Sequence, residues 1–399
     1  MCDTSRRRIG LHSVNRHFAK KHLMNRRQIL TTFNAIAIGT LIPAWNPSSE
    51  GQLIKAPGVT QPLMPPNGAN MASDDPRQAP KIGVVAVGRM GELIFDSESD
   101  RVPASIRSIA IDRDPDSLDR ITADHKILLA SGLSIYEHPE AAVLHAKTTL
   151  AAIDDAVAGL DLAILAVGLG GTTGTTIAPL VARMLRSRNI LTLGVATLPF
   201  AFEGEERRQI ALAGIGELTP QVNSLLPIFN TDIEDQARGK TSPTGLRAAA
   251  PVAIIELCQS VATSLSESNL IEVGIEDLRY LTFAPSGICA YGYGYGKGAN
   301  AAMTAARQAT THPLLGQSRL KMASTVLICI KTSSHRRFLR DVSRITEYVM
   351  NQLPVGCKGI YSVTANAAAE DFFRVSILTG GICGRLGNDK PTGQVLGSA

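Results

Sequence analysis

The chain has 399 residues, 44% of them hydrophobic, and is long enough to bury a large core and to form two domains with tails. Its net charge of +5 is uneven, because residues 1–27 hold eight Arg or Lys and one Asp, while the remainder carries −2. The charge of the body therefore gives no sign of a specific nucleic-acid partner. Six scattered cysteines form neither a zinc motif nor a disulfide framework, which favours reduced thiols.

Residues 1–80 are basic and then rich in proline, and they have competing interpretations. Met24–Leu30 precedes a mostly apolar run that ends at Trp45, a pattern that resembles a twin-arginine export signal. The run is short and polar for a membrane span and no clear cleavage site follows, so a solvated arm, or an arm in contact with a membrane surface or nucleic acid, is the alternative. Eight prolines within residues 43–80 indicate a disordered linker.

The globular part begins at Lys81, and a candidate phosphate loop follows its first strand. Ile82–Val87 is an unbroken apolar run, which is typical of a strand buried on both faces of a parallel sheet. The arginine of the next loop would supply a positive charge to a phosphate, although an arginine at a strand end is commonly a surface residue. The candidate phosphate contacts in this loop are Gly88, Arg89, Met90 and Gly91.

A second and more informative stretch contains a strand, a loop rich in glycine and threonine, and a helix. Leu162–Val167 has the pattern of a buried strand, Gly168–Thr176 that of the loop, and the residues from Ile177 that of a helix with Pro179 in its first turn. Such a loop presents backbone N–H groups at a helix N-terminus and suits a phosphate, whereas a plain turn is the alternative. It matches neither the Walker loop nor the dinucleotide-binding fingerprint. The candidate contacts are Gly168, Gly170, Gly171, Thr172, Thr173, Gly174 and Thr175.

Several motifs of the chain are similar to those of one protein family. Gly170–Thr176, GGTTGTT, resembles the tubulin/FtsZ signature G-G-G-T-G-[ST]-G, with threonine at two of the glycine positions. Thr197–Arg207 is similar to the FtsZ pattern T-K-P-F-x-F-E-G-x-x-R, with Leu198 in place of the lysine. The similarity continues in order through Asn230 and is recognisable from about residue 81 to residue 381. The chain thus resembles a divergent tubulin/FtsZ-like protein.

The resemblance implies an α/β fold with a Rossmann-like tubulin/FtsZ nucleotide-binding domain, a central helix and a smaller α/β C-terminal domain. The corresponding segments are an extension at 1–80, the nucleotide-binding domain at 81–245, the central helix at 246–268, the smaller domain at 269–384 and a tail at 385–399. Strand and helix patterns in the last third of the chain agree with such a second domain.

The resemblance also implies a ligand and the residues that hold it. The expected nucleotide is GTP, with Mg²⁺ held through it, and Glu203, Arg207 and Asn230 join the glycine loops as nucleotide contacts. The two threonine replacements predict weakened or rearranged phosphate contacts, because a β-branched residue is strained at positive φ. Arg247 and Pro251 stand at the positions that read guanine, which leaves the choice between guanine and adenine open.

The loop that follows the central helix corresponds to the hydrolytic loop of the family. In the family, N-x-D-x-x-D reaches across a polymer interface and positions the water that attacks the neighbour's γ-phosphate. Here the pattern has Glu272, Gly274 and Asp277, so one carboxylate is missing and Asp277 is the catalytic candidate. Glu272 or Glu276 would replace the lost group or, alternatively, cap the following helix.

Two other patterns have structural explanations. Tyr291, Tyr293 and Tyr295 alternate with glycine, and packing on one face of a sheet is a simpler explanation than an aromatic platform for nucleic acid. His125, His138 and His145 lie in different predicted elements without the spacing of metal ligands, and we expect no metal site there.

The sequence therefore predicts a GTP-binding protein that associates head to tail with itself, or with another FtsZ-like filament, and that hydrolyses GTP slowly. The alternative is a scaffold without nucleotide turnover. A nicotinamide oxidoreductase is a third hypothesis, which the missing first G-x-G disfavours. The folded body is expected in the cytoplasm, with twin-arginine export or membrane association through the N-terminal arm as alternatives.

Overall fold

A computed structural model describes most of the chain from residue 79 onward. The described residues are 79–96, 99–129, 139–237, 243–266, 269–282, 287–333, 338–365 and 372–382. Nearly all belong to one compact unit formed by 76–132 and 148–399, and of the other unit, 1–75 and 133–147, only helical residues 139–147 are described. The predicted export signal, arm and linker lie outside the described residues. Among the described helices, none is both long enough and apolar enough to span a bilayer.

The first sheet contains six parallel strands in the order β3-β2-β1-β4-β5-β6. The strands are β1 (Ile82–Val87), β2 (Ile106–Asp112), β3 (His125–Leu128), β4 (Leu162–Gly168), β5 (Leu191–Leu198) and β6 (Ser224–Phe229). The central strands are buried along nearly their whole length, which explains why their sequences are continuous apolar runs. The order and direction of the strands confirm the predicted Rossmann-like sheet.

Helices connect these strands and cover both faces of the sheet. They are α1 (Met90–Phe95), α2 (Pro115–Arg120), α3 (Pro139–Val157), α4 (Thr172–Ser187), α5 (Glu205–Leu218), α6 (Asn230–Ala237) and α7 (Pro243–Ser264). Neighbouring residues of a strand point to opposite faces. Val85 and Val87 of β1 therefore join the core that includes α4 and α5, while Val84 and Ala86 join the core that includes α1 and α7.

A second sheet of four strands follows the central helix α7, as the family resemblance implies. Its strands are β7 (Cys289–Lys297), β8 (Thr325–Thr332), β9 (Lys358–Ala365) and β10 (Phe372–Gly380), in the order β7-β10-β8-β9. β10 is antiparallel to β7 and β8, and β9 is parallel to β8. The helices of this part are α8 (Ile275–Thr282), α9 (Ala301–Thr310), α10 (Gln317–Leu320) and α11 (Phe338–Met350).

Helix α4 begins five residues earlier than the sequence predicts. The expected loop over Gly168–Thr176 is shorter, because Thr172–Thr176 are already helical, and Pro179 consequently lies inside the helix rather than in its first turn. Threonine is a weak helix former, so the propensities of these residues gave the wrong boundary. Packing of the first turn against β4 outweighs that propensity. The predicted strands Ile82–Val87 and Leu162–Val167 agree with β1 and β4 to within one residue.

The described cysteines are free thiols with little reactivity. They are Cys258, Cys289, Cys329 and Cys357. Burial raises the pKa of Cys258 and Cys289 to about 12 and that of Cys329 to about 11, so these thiols stay protonated near neutral pH. Cys2 and Cys383 lie outside the described residues.

The alternation of glycine and tyrosine in β7 reflects two different neighbours. A Cβ added to Gly292, Gly294 or Gly296 would lie 2.0–2.4 Å from a backbone oxygen of α9, so only glycine allows this helix to approach the strand. On the other face, Tyr291 is fully buried and its hydroxyl lies 2.9 Å from the Ser260 Oγ of α7. Packing in a sheet thus accounts for the pattern.

This packing generates a prediction about two glycine-to-alanine variants. In Gly294→Ala the new methyl group would meet backbone atoms of α9 at 2.2 and 2.6 Å, and we expect the free energy of unfolding to fall by about 2 kcal/mol or more. Gly216 lies in α5 with open space where its Cβ would be, so Gly216→Ala should raise stability by about 0.5–1 kcal/mol. Urea unfolding measures both. Equal effects in the two variants would contradict the proposed packing.

A second prediction concerns His312, which is partly buried and packs against Tyr293 with 4.3 Å between the ring centroids. Its Nδ1 accepts a hydrogen bond from the Leu314 N–H at 3.3 Å, and burial lowers its pKa to about 4. Because the unfolded chain takes up this proton first, the stability contributed by His312 falls as the pH drops below about 6.5. From pH 7 to pH 5 the loss should be about 2 kcal/mol. Urea unfolding of His312→Gln should lack this component, and an unchanged pH dependence would refute the assignment.

Candidate functional site

The order of the first sheet places a crevice between β1 and β4. From β1 the chain proceeds outward through β2 and β3, whereas β4, β5 and β6 follow on the other side. The loops at the carboxyl ends of two such strands diverge, and open α/β sheets bind ligands in the crevice that results. The loops that follow β1 and β4 are the two glycine-containing loops identified in the sequence.

The two loops contact each other. Gly88 has a left-handed backbone conformation (φ +69°), and its N–H donates to the Ile111 carbonyl oxygen at 2.7 Å. A Cβ at Gly88 would lie 3.6 Å from the Thr173 Cβ and 3.7 Å from the Gly174 nitrogen. The loop after β1 therefore packs on the first turn of α4, and the structure brings these three predicted site residues together.

Gly174 fits helix α4 onto the end of β4. A Cβ at this position would lie 2.1 Å from the Gly168 carbonyl oxygen and 2.9 Å from the Val167 Cγ2. The space that a side chain at Gly174 would occupy thus faces strand β4 rather than the crevice. Gly171 is the N-cap of the helix, and the first N–H groups of a helix have no partners within it. Those groups and the helix dipole favour an anion at this end of α4.

Gly170 connects the loop to the segment that matches the second FtsZ pattern. Its φ is +92°, its N–H donates to the Thr175 Oγ1 at 3.0 Å, and a Cβ here would lie 2.8 Å from the Arg207 carbonyl oxygen. The Arg207 side chain pairs with Glu203 at 3.2 Å. A Cβ at Gly171 would be 4.0 Å from the Arg207 Nη2. Glu203 and Arg207 therefore lie beside the glycine loop.

The threonine replacements in the loop cause no backbone strain. Thr172 and Thr176 both lie in helix α4, and among the described residues Asn189 is the one non-glycine residue with positive φ. The positive φ of this loop falls on Gly170, a glycine that the chain retains. The strain expected from β-branched residues is absent because the replaced glycines occupy helical positions.

The other candidates next to Gly88 are engaged within the protein. Arg89 has a side chain that is 67% exposed, and its Nε lies 3.7 Å from the Glu92 Oε2. Met90 is buried in the core, and the Gly91 N–H donates to the Gly88 carbonyl oxygen at 2.9 Å. Of Arg89, Met90 and Gly91, only Arg89 therefore presents a polar side chain at the surface.

The predicted nucleotide contact Asn230 and the two residues at the positions expected to read guanine lie farther along the sheet. Asn230 begins α6 after β6, which is two strands away from β4, and within the described residues it forms no hydrogen bond with either glycine loop. Pro251 lies inside α7. The side chain of Arg247 lies outside the described residues.

Two contributors to the site were missed in the sequence. Thr197, at the end of β5, accepts the Leu169 N–H at 2.9 Å through its carbonyl oxygen and fixes the start of the loop. Pro199 packs against the loop, since its Cγ would lie 3.2 Å from a Cβ at Gly170. Both residues belong to the stretch that matches the second FtsZ pattern, so that motif contained the signal.

The catalytic candidate lies at the opposite edge of the first sheet. Asp277 is exposed in the first turn of α8. Arg279 of this helix donates to the carbonyl oxygen of Asn189, which stands shortly before β5, at 3.1 Å. β5 (Leu191–Leu198) spans about 23 Å at roughly 3.3 Å per residue, and the glycine loops follow the other ends of these strands. Asp277 thus lies toward the amino ends of the strands of the first sheet, and the crevice lies at their carboxyl ends.

The loop before α8 is held by Asp277 itself. The Asp277 Oδ2 accepts the Gly274 N–H at 2.8 Å, while Glu276 pairs with Arg279 at 3.3 Å. Glu272 is exposed and has no hydrogen-bond or ion-pair partner among the described residues. Asp277 therefore performs the capping role that the sequence suggested for Glu272 or Glu276.

No group of three or more His, Cys, Asp or Glu side chains within the described stretches is arranged to hold a metal ion. His125 is exposed at the start of β3, and the side chains of His138 and His145 lie outside the described residues.

Sequence comparisons identify relatives of the chain. Residues 82–238 match the family model "Tubulin/FtsZ family, GTPase domain". "Cell division protein FtsZ" of Caulobacter vibrioides is 28% identical over 309 residues, which cover 76% of this chain and 60% of the relative. "Cell division protein FtsZ 1" of Rhizobium meliloti is 28% identical over 322 residues, which cover 80% of this chain and 53% of the relative. The chain thus spans 53–60% of the length of these relatives.

Solved structures show the same fold. An empty FtsZ dimer from M. jannaschii matches with a TM-score of 0.66 and 25% identity, covering 77% of this chain and 90% of that one. A GTPγS-bound protofilament of CetZ2 from Haloferax volcanii matches with a TM-score of 0.59 and 18% identity, covering 76% of this chain and 93% of that one. The family model covers both glycine loops and the Glu203 and Arg207 pair. Motifs, site geometry and comparisons together show that the chain resembles FtsZ and that its residues 82–238 match the GTPase domain of the tubulin/FtsZ family.

Proposed function

We propose that the crevice between β1 and β4 binds GTP with Mg²⁺, and that copies of the chain associate head to tail. In this arrangement Asp277 of one copy completes the site of the next copy. Hydrolysis is slow, because Gly274 occupies a position at which the family loop presents a carboxylate. The partner is a second copy of the chain, with another FtsZ-like filament as the alternative.

One observation supports head-to-tail association above all others. The glycine loops lie at the carboxyl ends of the strands of the first sheet, whereas Asp277 belongs to helix α8, whose Arg279 contacts Asn189 at the amino end of β5. A water molecule at the crevice of one chain is therefore out of reach of Asp277 in the same chain. Two copies could stack so that the amino ends of the strands in one copy face the carboxyl ends of the strands in the next. This would bring Asp277 of one copy to the crevice of the other, and repetition of such a heterologous contact produces an open filament.

The crevice offers the chemistry that a nucleotide phosphate requires. The N-terminus of α4, capped by Gly171, supplies backbone N–H groups without a side chain in the way. The side chains of Arg89 and Arg207 are 67% and 50% exposed and would reach outer phosphate oxygens. Mg²⁺ commonly binds through substrate phosphates and water, which agrees with a site that has no carboxylate cluster among the described residues.

The choice of GTP rests on the resemblance to the tubulin/FtsZ family. The matched family model is that of a GTPase domain, and one structural relative is described as a GTPγS-bound protofilament. A second relative is described as an FtsZ dimer, which accords with self-association. A protein that binds GTP would act in the cytoplasm, where the nucleotide is supplied.

A scaffold that does not hydrolyse GTP is the second candidate function, and the geometry of the acidic loop favours it. One oxygen of Asp277 is engaged by the Gly274 N–H, and Gly274 itself contributes no carboxylate. An attacking water would then lack the groups that orient it and accept its proton. In this function the nucleotide, if bound, would stabilise the filament without turnover.

The first experiment tests nucleotide binding through the charge at the N-terminus of α4. Gly171→Asp should fit, because the only neighbour within 4 Å of its Cβ would be Arg207, and Asp is a favourable N-cap residue. Its carboxylate would repel the phosphate, and we expect affinity for labelled GTP to fall by about tenfold or more at unchanged fold stability.

Gly171→Asn is the matched control, because Asn has the same shape and capping ability without the charge. It should retain most of the affinity. Equal losses in both variants would show that volume rather than charge is responsible, and absence of GTP binding in the unmodified chain would support the scaffold.

The second experiment restores the missing carboxylate. A Cβ at Gly274 would lie 3.7 Å from the Asp277 Oδ2, which is an ordinary contact, so Gly274→Asp fits the loop. GTP turnover per subunit should rise by about 10²-fold or more, because general-base assistance is typically of that size. The increase should be larger at high protein concentration, since a neighbour completes the site.

Gly274→Asn is the control for shape, and it should leave turnover nearly unchanged. Mixing Gly171→Asp chains, which keep Asp277, with Asp277→Asn chains, which keep the crevice, should recover part of the turnover that each lacks alone. Turnover that is independent of protein concentration, or a mixture without recovery, would contradict catalysis across an interface.

A further inference from the structure

A polar cleft lies between the central helix α7 and the second sheet. The cleft is partly open to solvent. The side chains that matter most are Gln259 and Ser260 on α7, Lys331 on β8, and Arg374 and Ser376 on β10. None of the cleft residues belongs to the loops at the carboxyl edge of the first sheet, so the cleft is distinct from the crevice of the proposed function.

Two cations face each other in this cleft. Lys331 and Arg374 are direct partners across the antiparallel pair of β8 and β10, and both line the cleft. Side chains in that relation have Cβ atoms about 4.5–5.5 Å apart, and like charges directly opposite each other are unfavourable. The Arg374 side chain is only 21% exposed, so water screens this repulsion incompletely.

The carboxylate that serves this cluster is Glu256 on α7, and it is already shared. Its Oε1 accepts from the Arg101 Nη2 at 2.9 Å, and its other oxygen contacts Arg374. The side chain of Lys331 has no hydrogen-bond or ion-pair partner among the described residues, although its backbone is paired within the sheet. Burial and the nearby Arg101 lower the pKa of Arg374, whose Nη2 also donates to the Gln259 Oε1 at 2.9 Å.

Hydroxyl groups complete the lining. The Ser260 Oγ lies 2.8 Å from the Ser376 Oγ and 2.9 Å from the hydroxyl of Tyr291. Ser362 and Thr364 of β9 also line the cleft. The Ser260 Oγ also donates to the Glu256 carbonyl oxygen at 2.8 Å, and the Thr364 Oγ1 donates to the Asn269 Oδ1. The charge of an anion in the cleft is therefore met by Lys331 and Arg374 rather than by these hydroxyls.

We propose that this cleft binds a small oxyanion, of the phosphate or sulfate type, between Lys331 and Arg374. The anion offsets the repulsion between the two cations and connects β8 to β10 through their side chains. Its binding is independent of GTP, because no residue of the cleft belongs to the crevice.

Thermal unfolding of the full-length chain during titration with inorganic phosphate tests this site. Ionic strength is held constant with chloride, and all variants carry Gly171→Asp, so that phosphate does not report on the crevice. The parent and the control Lys321→Met, which removes an exposed lysine elsewhere, should show a Tm that rises with phosphate concentration. Lys331→Met should lose that rise, and Lys331→Arg should keep it.

The two effects of Lys331→Met should have opposite signs. Without phosphate its Tm should equal or exceed that of the parent, because a like-charge contact has been removed. A rise in Tm equal to that of Lys321→Met would overturn the proposal, as would an identical rise with chloride alone. A lower Tm of Lys331→Met in the absence of phosphate would show that Lys331 stabilises the fold by another route and would likewise overturn it.

Discussion

The close approach of helix α4 to strand β4 determines the geometry of the whole candidate site. A Cβ at Gly174 would lie 2.1 Å from the Gly168 carbonyl oxygen, so the first turn of the helix rests on the end of the strand only because this residue has no side chain. That seating aims the helix N-terminus at the crevice. It also places Thr173 and Gly174 where Gly88 of the neighbouring loop can pack on them, and it leaves Gly170 against the backbone of Arg207. Residues from three separate segments therefore converge through backbone contacts, and the side chains of the loop are free to vary, as Thr172 and Thr176 show.

The sequence was informative where a local pattern has one physical cause. Leu162–Val167 and Ile82–Val87 are continuous apolar runs because parallel strands bury both faces, and both became central strands. The structure places Glu203 and Arg207, from the second FtsZ-like motif, beside Gly170. Local pattern failed at the start of α4, where threonines with low helix propensity are held helical by packing against β4. The expectation of backbone strain at the threonine replacements was also wrong, because a motif shows which glycines have been replaced but not which of them have positive φ.

Contacts between distant parts of the chain left no trace in the sequence. Arg101 and Glu256 are 155 positions apart, and Arg374 reaches Glu256 and Gln259 from a strand near the end of the chain. Charged residues at such separations have no period and no spacing that predicts a shared cleft. The glycines of β7 are an intermediate case. Their alternation with tyrosine predicts a strand, but only the structure shows that the backbone of α9 packs on the glycine face. Gly292, Gly294 and Gly296 therefore tolerate no side chain.

The position of Asp277 bears on what an isolated chain is able to do. Its carboxylate stabilises the start of α8 by accepting the Gly274 N–H, and this bond needs only one of the two carboxylate oxygens. The proposed head-to-tail arrangement uses the same side chain for a second purpose, since the exposed loop would meet the crevice of a neighbour. An isolated chain then holds the binding half of one site and the hydrolytic half of another, which lie at opposite edges of the first sheet. Turnover under this proposal is a property of the contact between copies, so the rate reports on assembly as much as on the chemistry of the loop.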